Sequence, residues 1–353
     1  MSAKNISSIR RKLVRWYDKV RRDLPWRRTR DPYAIWIAET MLQQTQVTTV
    51  VPYYERFLKA IPDVHTLDRA PLRKILTLWS GLGYYRRAEN LKKSARVLVR
   101  RHAARLPDDY EALLSLPGVG DYTAGALMSI AFAKPYPALD GNARRVLARI
   151  FDLTKEKELR DAANRLVPAS RPGYFNQGLM ELGATICTPK APRCPECPLV
   201  SSCAARRVKR WFKTFGSTQR KTKTVAWPVA IVRRKGRFLL RRRSANGMLA
   251  GLWEFPGGEK ARRESLYGSL GRHLHELNGI LTRRIQIGEL RHTITTRNIR
   301  APVFLFDVLG SAKARLGSSQ WRWLTPSELG HYPVSSMTLK AARILASHEK
   351  SSL

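Results

Sequence analysis

LLSLPGVGDYTAGALMSIAFAKPYPALDGNARRVLAR, residues Leu113 to Arg149, predicts a helix that ends at a hairpin, Leu116-Pro117-Gly118-Val119-Gly120, and restarts beyond it. Ala124, Leu127, Met128 and Ile130 recur at helical spacing in the second helix. Pro117 has no N–H to donate, and Gly118 and Gly120 permit backbone angles and approaches that a side chain would forbid. The outcome is a turn with bare amides at a helix start, a place where the main chain of Leu116, Gly118, Val119 and Gly120 holds a phosphate. Taken alone, the same turn also fits an ordinary helix-to-helix connection. Asp140-Gly141-Asn142, opening a further helix, sets it apart from that plain connection.

The chain has 353 residues and is 43% hydrophobic, enough for two or three domains with real cores. Its 65 Lys and Arg against 27 Asp and Glu leave +38, which points to a polyanion as partner, nucleic acid first. No apolar run is long enough to span a bilayer, and no membrane partner is expected. The start, MSAKNISSIRRKLVRWYDKV, lacks the apolar block of a secretion signal, so a cytoplasmic location is expected.

Ile6, Ile9, Leu13, Val14, Tyr17 and Val20 fall at helical spacing within residues 5 to 20. Asp31-Pro32 supplies an N-cap and a first-turn proline for a helix carrying Trp36, Ile37, Glu39, Met41 and Leu42. Helical patterns follow through Thr45 to Phe57, Pro71 to Trp79 and Arg86 to Arg100, and no strand alternation is sustained before about residue 212. Residues 1–205 therefore read as an all-α domain, followed over 206–223 by a basic linker. From 224 to 353 the texture is mixed. Val225 to Val232, a turn at Lys235-Gly236 and Phe238-Leu239-Leu240 form a hairpin, with further strands at Ile299 to Leu309 and Trp321 to Leu324.

All four cysteines lie between 187 and 203: Cys187, six residues, Cys194, two, Cys197, five, Cys203. Four thiolates suit tetrahedral zinc or a cubane iron–sulfur cluster, and spacing alone does not choose. This pattern at the end of an all-α domain, with LPGVG and the downstream Asp140, resembles the endonuclease III-like helix-hairpin-helix superfamily of DNA glycosylases. Within it, Trp36-Ile37-Ala38-Glu39-Thr40-Met41-Leu42-Gln43-Gln44-Thr45-Gln46-Val47, Gly81-Leu82-Gly83-Tyr84-Tyr85 and Leu139-Asp140-Gly141-Asn142 resemble the MutY-type adenine DNA glycosylases, over about residues 10 to 210. The resemblance implies one four-iron, four-sulfur cluster on Cys187, Cys194, Cys197 and Cys203, structural because no coordination position is left open.

Breaking an N-glycosidic bond requires protonation of the departing base and stabilisation of the cationic sugar, the demand that glycosidases meet with two carboxyl groups. Glu39 sits on an otherwise apolar helix, where burial raises its pKa and keeps its proton. Asp140, beside Asn142 at a helix start, is expected to stay ionised. The resemblance implies that Glu39 protonates adenine N7 and then activates water, and that Asp140 stabilises or traps the oxocarbenium ion. At 122, where strand-cutting superfamily members have a Schiff-base lysine, this chain has Tyr122, so hydrolysis without strand cleavage is implied. By the same resemblance Gln43 and Gln44 lie at the lesion, Tyr84 wedges beside the opposite base, and Arg27 and Glu181 line the adenine pocket of a flipped nucleotide.

In the second domain, Gly258, five residues, Glu264, seven residues, then Arg272 to Ile280 has the spacing of a Nudix box. Leu252-Trp253-Glu254-Phe255-Pro256-Gly257-Gly258 also resembles that fold. His273 and Leu277 stand where magnesium-binding glutamates belong, so an α+β Nudix-like domain that binds rather than hydrolyses is expected. MutY-type proteins use such a domain to read 8-oxoguanine. Here Arg291-His292-Thr293 is followed by Ile294-Thr295-Thr296 instead of the usual Phe-Ser-His, which leaves Thr295 and Thr296 as the reading residues and implies a weaker 8-oxoguanine preference. The expected whole is a monomeric, monofunctional adenine DNA glycosylase acting on double-stranded DNA with an 8-oxoguanine:adenine or guanine:adenine mispair. A lyase-active pyrimidine-lesion glycosylase conflicts with Tyr122, a non-catalytic DNA-binding module leaves Glu39 and Asp140 without a task, and a nucleotide pyrophosphohydrolase conflicts with the degraded box.

Overall fold

Capping chemistry sets the helix boundaries of the first 208 residues. Asp31 accepts hydrogen bonds from Tyr33 N and Ala34 N at 3.1 and 3.2 Å, with Pro32 at the first position, and so opens α2 (Pro32–Leu42) after α1 (Ala3–Val20). Asp63 caps α4 (Val64–Arg69), which follows α3 (Val47–Ala60), and Asp109 caps α7 (Tyr110–Leu114), which follows α5 (Leu72–Leu78) and α6 (Arg86–Arg101). Beyond the hairpin come α8 (Asp121–Ala126), α9 (Gly141–Phe151), α10 (Glu156–Leu166), α11 (Pro172–Thr185) and the short α12 (Ala204–Arg207). Among the described residues the first strand starts at Lys223, as the absence of alternation led one to expect.

The computed structural model describes residues 3–208, 222–244, 247–277, 281–294, 296–308 and 320–351. Most of the expected basic linker, and Thr295, lie outside the described residues. No helix is long and apolar enough to cross a membrane.

By their contacts the residues form two units, 1–70 with 89–218 and 71–88 with 219–353. Segment 71–88 thus groups with the C-terminal unit. The physical basis is a set of hydrogen bonds from Ser80 and Tyr85 to Val334.

In the first unit the apolar faces of α1 (Ile9, Leu13), α9 (Val146, Leu147, Ile150), α10 (Ala163, Leu166) and α11 (Phe175, Leu179, Leu182) share one core. Each such side chain contributes about 1.5–3 kcal/mol by leaving water. The hairpin rests on α6. Ser94 Oγ donates to Pro117 O at 2.7 Å, and Gly118, at φ +83°, lies so close to Asn90 that an added Cβ would stand 2.7 Å from its Cβ. Leu116 and Val119 turn their side chains into the core, so only their main chain can face a phosphate.

The second unit is a mixed sheet between helices. The strands are β1 (Lys223–Ala226), β2 (Val229–Arg234), β3 (Arg237–Arg242), β4 (Trp253–Glu254), β5 (Leu281–Ile294), β6 (Arg297–Val308) and β7 (Trp321–Leu324). β6 pairs in parallel with β1 and β2 and antiparallel with β5, while β3 pairs antiparallel with β2, β4 and β7. Period-two alternation divides the faces. Val229, Ile231, Val303 and Leu305 meet Met337, Ala341 and Leu345 of α14 (Ser336–Ser351); Ala230, Val232, Phe304 and Phe306 meet Leu270 and Leu274 of α13 (Leu266–Leu274).

One expectation needs correction. Val225 to Val232 is not one strand of a hairpin, because Trp227-Pro228 separates β1 from β2; Pro228 has no N–H for a ladder. The turn at Lys235-Gly236, with φ +46° and +70°, does join β2 to β3. Arg291 to Ile294 forms the end of β5, paired in register from Arg291↔Arg300 to Ile294↔Arg297.

Gly118→Ala is expected to destabilise the protein by about 1–3 kcal/mol, since it adds both a strained φ and a collision. Gly120→Ala, with φ −110° and nothing within 4 Å of its Cβ, should stay within about 0.5 kcal/mol in the same urea titration.

Candidate active site

A cleft of about 930 Å³ in the first unit gathers residues from five separated stretches of chain. α2 is buried from Tyr33 to Met41, and Glu39 is only 4% exposed there. The helix ends where Gln44 takes φ +58°, which leaves Gln43 and Gln44 lining the cleft; Gln43 Nε2 donates to Thr123 Oγ1 of α8 at 3.2 Å. Tyr122, in the first turn of α8, donates its hydroxyl proton to Glu39 Oε2. Burial raises the Glu39 carboxyl to about 7; the Tyr122 hydrogen bond and Arg27 oppose the rise, and the nearby Asp140 adds to it. Burial likewise holds the Tyr122 phenol well above its usual range, so it remains a neutral donor.

Asp140 is the N-cap of α9 and accepts from Ala143 N at 2.7 Å and Asn142 Nδ2 at 2.9 Å. These amides and Arg145 favour the anion, as expected of a helix start, yet burial outweighs them and the Asp140 carboxyl is raised. The segment leading to it is pinned from α11, where the buried Asn176 donates to Tyr136 O and Ser129 Oγ, each at 2.8 Å. Asn142 in turn accepts from Arg145 Nη2 at 2.8 Å, and the same guanidinium donates to Gly183 O at 2.7 Å and Cys187 O at 2.9 Å.

Glu181 is 1% exposed on α11 and carries two guanidinium groups, Arg22 at 2.6 and 2.9 Å and Arg27 at 2.7 Å. Burial pushes its carboxyl up, but the two arginines more than offset this and hold it below the ordinary value. Two buried carboxyls in one cleft thus take opposite states, because one faces a phenol and the other two cations. Arg27 also sits 5.2 Å over the ring of Tyr17, whose hydroxyl donates to Gln177 Oε1 at 2.7 Å.

Glu39, Tyr122, Asp140, Asn142, Arg27, Gln43, Gln44, Glu181 and Gly120 therefore meet at one cleft. Tyr84 and Thr296 belong to the other unit. Sequence reasoning missed Arg22, Gln177 and Met180. For the last two the signal was present, since Gln177, Met180, Glu181 and Ala184 lie on one face of α11 at helical spacing. Arg22 was hidden among many basic residues.

The four cysteine thiols ring a small apolar cavity with Ile186, Pro192, Val200 and Ala205. No group of three or more His, Cys, Asp or Glu among the described residues is arranged to hold a single metal ion. Arg149, 3% exposed, donates to Cys187 Sγ at 3.3 Å and to Thr188 O at 2.7 Å, while its Nε has no partner. Burial raises the Cys197 thiol to about 11 and also raises that of Cys203. The donor set fits a group with several positive centres that draws protons off buried thiols.

Residues 37–169 match the HhH-GPD superfamily of base excision DNA repair proteins, and residues 228–343 match the NUDIX domain. Over 406 aligned positions the chain is 34% identical to the human adenine DNA glycosylase, covering 96% of this chain and 74% of that protein. The adenine DNA glycosylase of Buchnera aphidicola subsp. Schizaphis graminum is 40% identical over 209 positions, 57% of this chain and 60% of that one. A solved thermostable thymine-DNA glycosylase superposes with a TM-score of 0.55 at 34% identity, over 58% of this chain and 98% of that chain. A trapped endonuclease III–DNA covalent intermediate shares the fold, with a TM-score of 0.52 at 22% identity over 59% and 99%.

Glu181→Ala leaves Arg22 and Arg27 around an empty buried site and should cost about 3 kcal/mol in denaturant unfolding at neutral pH. Because the folded-state pKa of Glu181 is depressed, its contribution is present above the unfolded value of about 4.3 and is lost as pH falls through the folded value. The gap between wild type and variant should therefore narrow on acidification.

Proposed function

The chain belongs to the adenine DNA glycosylase family, DNA N-glycosylases that excise adenine in base excision repair, and from that premise we propose that it acts on adenine opposite 8-oxoguanine or guanine and leaves the strand uncut. The observation that carries this reading is the juxtaposition of Glu39, Tyr122 and Asp140 in one cleft.

Glu39, whose raised pKa of about 7 keeps a large protonated fraction at neutral pH, gives its proton to adenine N7 as the C1′–N9 bond breaks and its electron pair leaves with the base. Asp140 offsets the charge of the oxocarbenium ion or bonds to C1′ for a time. The Glu39 carboxylate then takes a proton from water, whose oxygen bonds to C1′, and the acid is regenerated. Tyr122 orients Glu39 and offers no amine, so no imine forms and no β-elimination follows. Arg27 and Glu181 wall the adenine pocket, Gln43 and Gln44 lie at the lesion, and Tyr84 wedges beside the opposite base. The main chain from Leu116 to Gly120 holds a DNA phosphate, residues 224–353 read the opposite base, and Thr295 and Thr296 are the reading residues there.

Cys187, Cys194, Cys197 and Cys203 would hold one four-iron, four-sulfur cluster, which would supply a rigid cross-link and no reacting group. Arg145 and Arg149 would carry that rigidity to Asn142 and the start of α9. The replacement of Phe-Ser-His by Ile294-Thr295-Thr296 favours a second reading of lesion choice, in which guanine:adenine pairs are processed with only weak 8-oxoguanine preference.

On an 8-oxoguanine:adenine duplex, strand breaks should appear only after alkali, borohydride should trap no efficient crosslink, and the single-turnover rate should fall as pH rises through about 7. Glu39→Gln should lose at least about 100-fold in rate. Efficient trapping by the wild-type chain, or a rate that rises through neutral pH, would contradict the mechanism.

A further inference from the structure

The turn Gly81-Leu82-Gly83-Tyr84-Tyr85 is a backbone that does not hold itself. Gly81, Gly83 and Tyr84 have φ of +96°, +78° and +48°, and Tyr84 pays for that region with a side chain that is 45% exposed. A left-handed tyrosine persists only where its surroundings over-determine it. Part of the hold is local. Trp79 Nε1 and Arg87 Nη2 donate to Gly83 O at 3.0 and 3.1 Å, and the Arg87 guanidinium lies 5.3 Å from the ring centres of both Trp79 and Tyr84.

The remainder comes from about 250 residues further along the chain. Ser80 Oγ donates to Val334 O at 2.8 Å and accepts from Val334 N at 3.0 Å. Tyr85 Oη donates to the same Val334 O at 2.7 Å and accepts from Gly81 N at 3.0 Å, while Ser336 Oγ donates to Gly81 O at 2.8 Å. Arg73 lies 4.5 Å over the ring of Tyr332. Val334 is itself fixed. It is buried in the sheet core, it bridges to Trp253 of β4, and Trp253 N donates to Pro333 O at 2.8 Å.

We propose that the segment 332–336 of the Nudix-like domain is the positioning element for Tyr84, with Ser80, Tyr85 and Ser336 as the positioning residues. The domain thereby governs recognition twice, through its own face toward the opposite base and through the wedge that it holds in place. This rests on the reading that Tyr84 enters the duplex. Tyr85 and the two serines touch no DNA; they act through the Tyr84 backbone.

The test is a double-mutant cycle in the full chain, read as affinity for a duplex with 8-oxoguanine opposite 2′-fluoro-2′-deoxyadenosine, whose electron-poor sugar resists excision. Tyr85→Phe and Ser80→Ala should each weaken that affinity about fivefold, the scale of one net hydrogen bond, and leave the pH at which excision falls unchanged. Neither should add to the loss produced by Tyr84→Ala, and Ser80→Thr, which keeps the hydroxyl, should restore affinity. A general loss of fold would instead add in full to Tyr84→Ala and would lower affinity for undamaged duplex as well. If Tyr84→Ala itself leaves lesion affinity intact, the reading of Tyr84 as a wedge fails. If Tyr84→Ala weakens binding but Tyr85→Phe and Ser80→Ala do not, or their losses add in full, the positioning role is overturned.

Discussion

A carboxyl group buried on an apolar helix is the constraint around which the first unit is built. Leaving water disfavours the charged form of Glu39, and Arg27 offsets this only in part, whereas Arg22 and Arg27 together more than offset the burial of Glu181. The protein thus stores an acid at neutral pH instead of an ion pair. Tyr122 satisfies one oxygen by donating a proton and, being itself far from ionising, adds no charge of its own. Asp140 completes the arrangement from another helix, with its anionic form supported by the start of α9 and opposed by burial. Asp140 adds to the rise of Glu39, and two carboxyls in one low-dielectric cleft are a natural way to keep one protonated while the second carries charge.

Holding such a pair in register requires stiff supports. Asn176 pins the segment before Asp140 from α11, and Arg145 ties Asn142 to Gly183 and Cys187. Arg149 continues the chain of contacts into the cysteine loop, where its charge faces Cys187 Sγ. Two arginines thereby join the loop carrying the four cysteines to the helix that Asp140 caps. In the second unit, Val334 plays a comparable part for the turn that bears Tyr84.

Much of this was legible in the residues. LPGVG, the Asp31-Pro32 cap, the apolar helix around Glu39 and the cysteine spacing are local signals, and each stands in the structure close to where it was read. What escaped depends on long-range geometry. β5 was not recognised because its polar and apolar residues alternate irregularly, and its register shifts between Thr282 and Ile285 and between Gln286 and Gly288. Arg22 has no local mark to separate it from its neighbours Arg21 and Lys19, since only the distance to Glu181 gives it a role. The transfer of 71–88 to the second unit is written in hydrogen bonds to the main chain of Val334, which no side-chain pattern announces. The upward shift of the Asp140 carboxyl comes from burial, which only the fold supplies and which its cap does not announce.

The central claim is that Glu39 is held protonated by burial, and carbon-13 NMR of its labelled carboxyl across pH tests it without recourse to activity. The expected result is a single Glu39 resonance that titrates with a midpoint of about 7. A midpoint near the ordinary glutamate value of about 4.3 would contradict it, because the acid would then be ionised at neutral pH and have no proton to give.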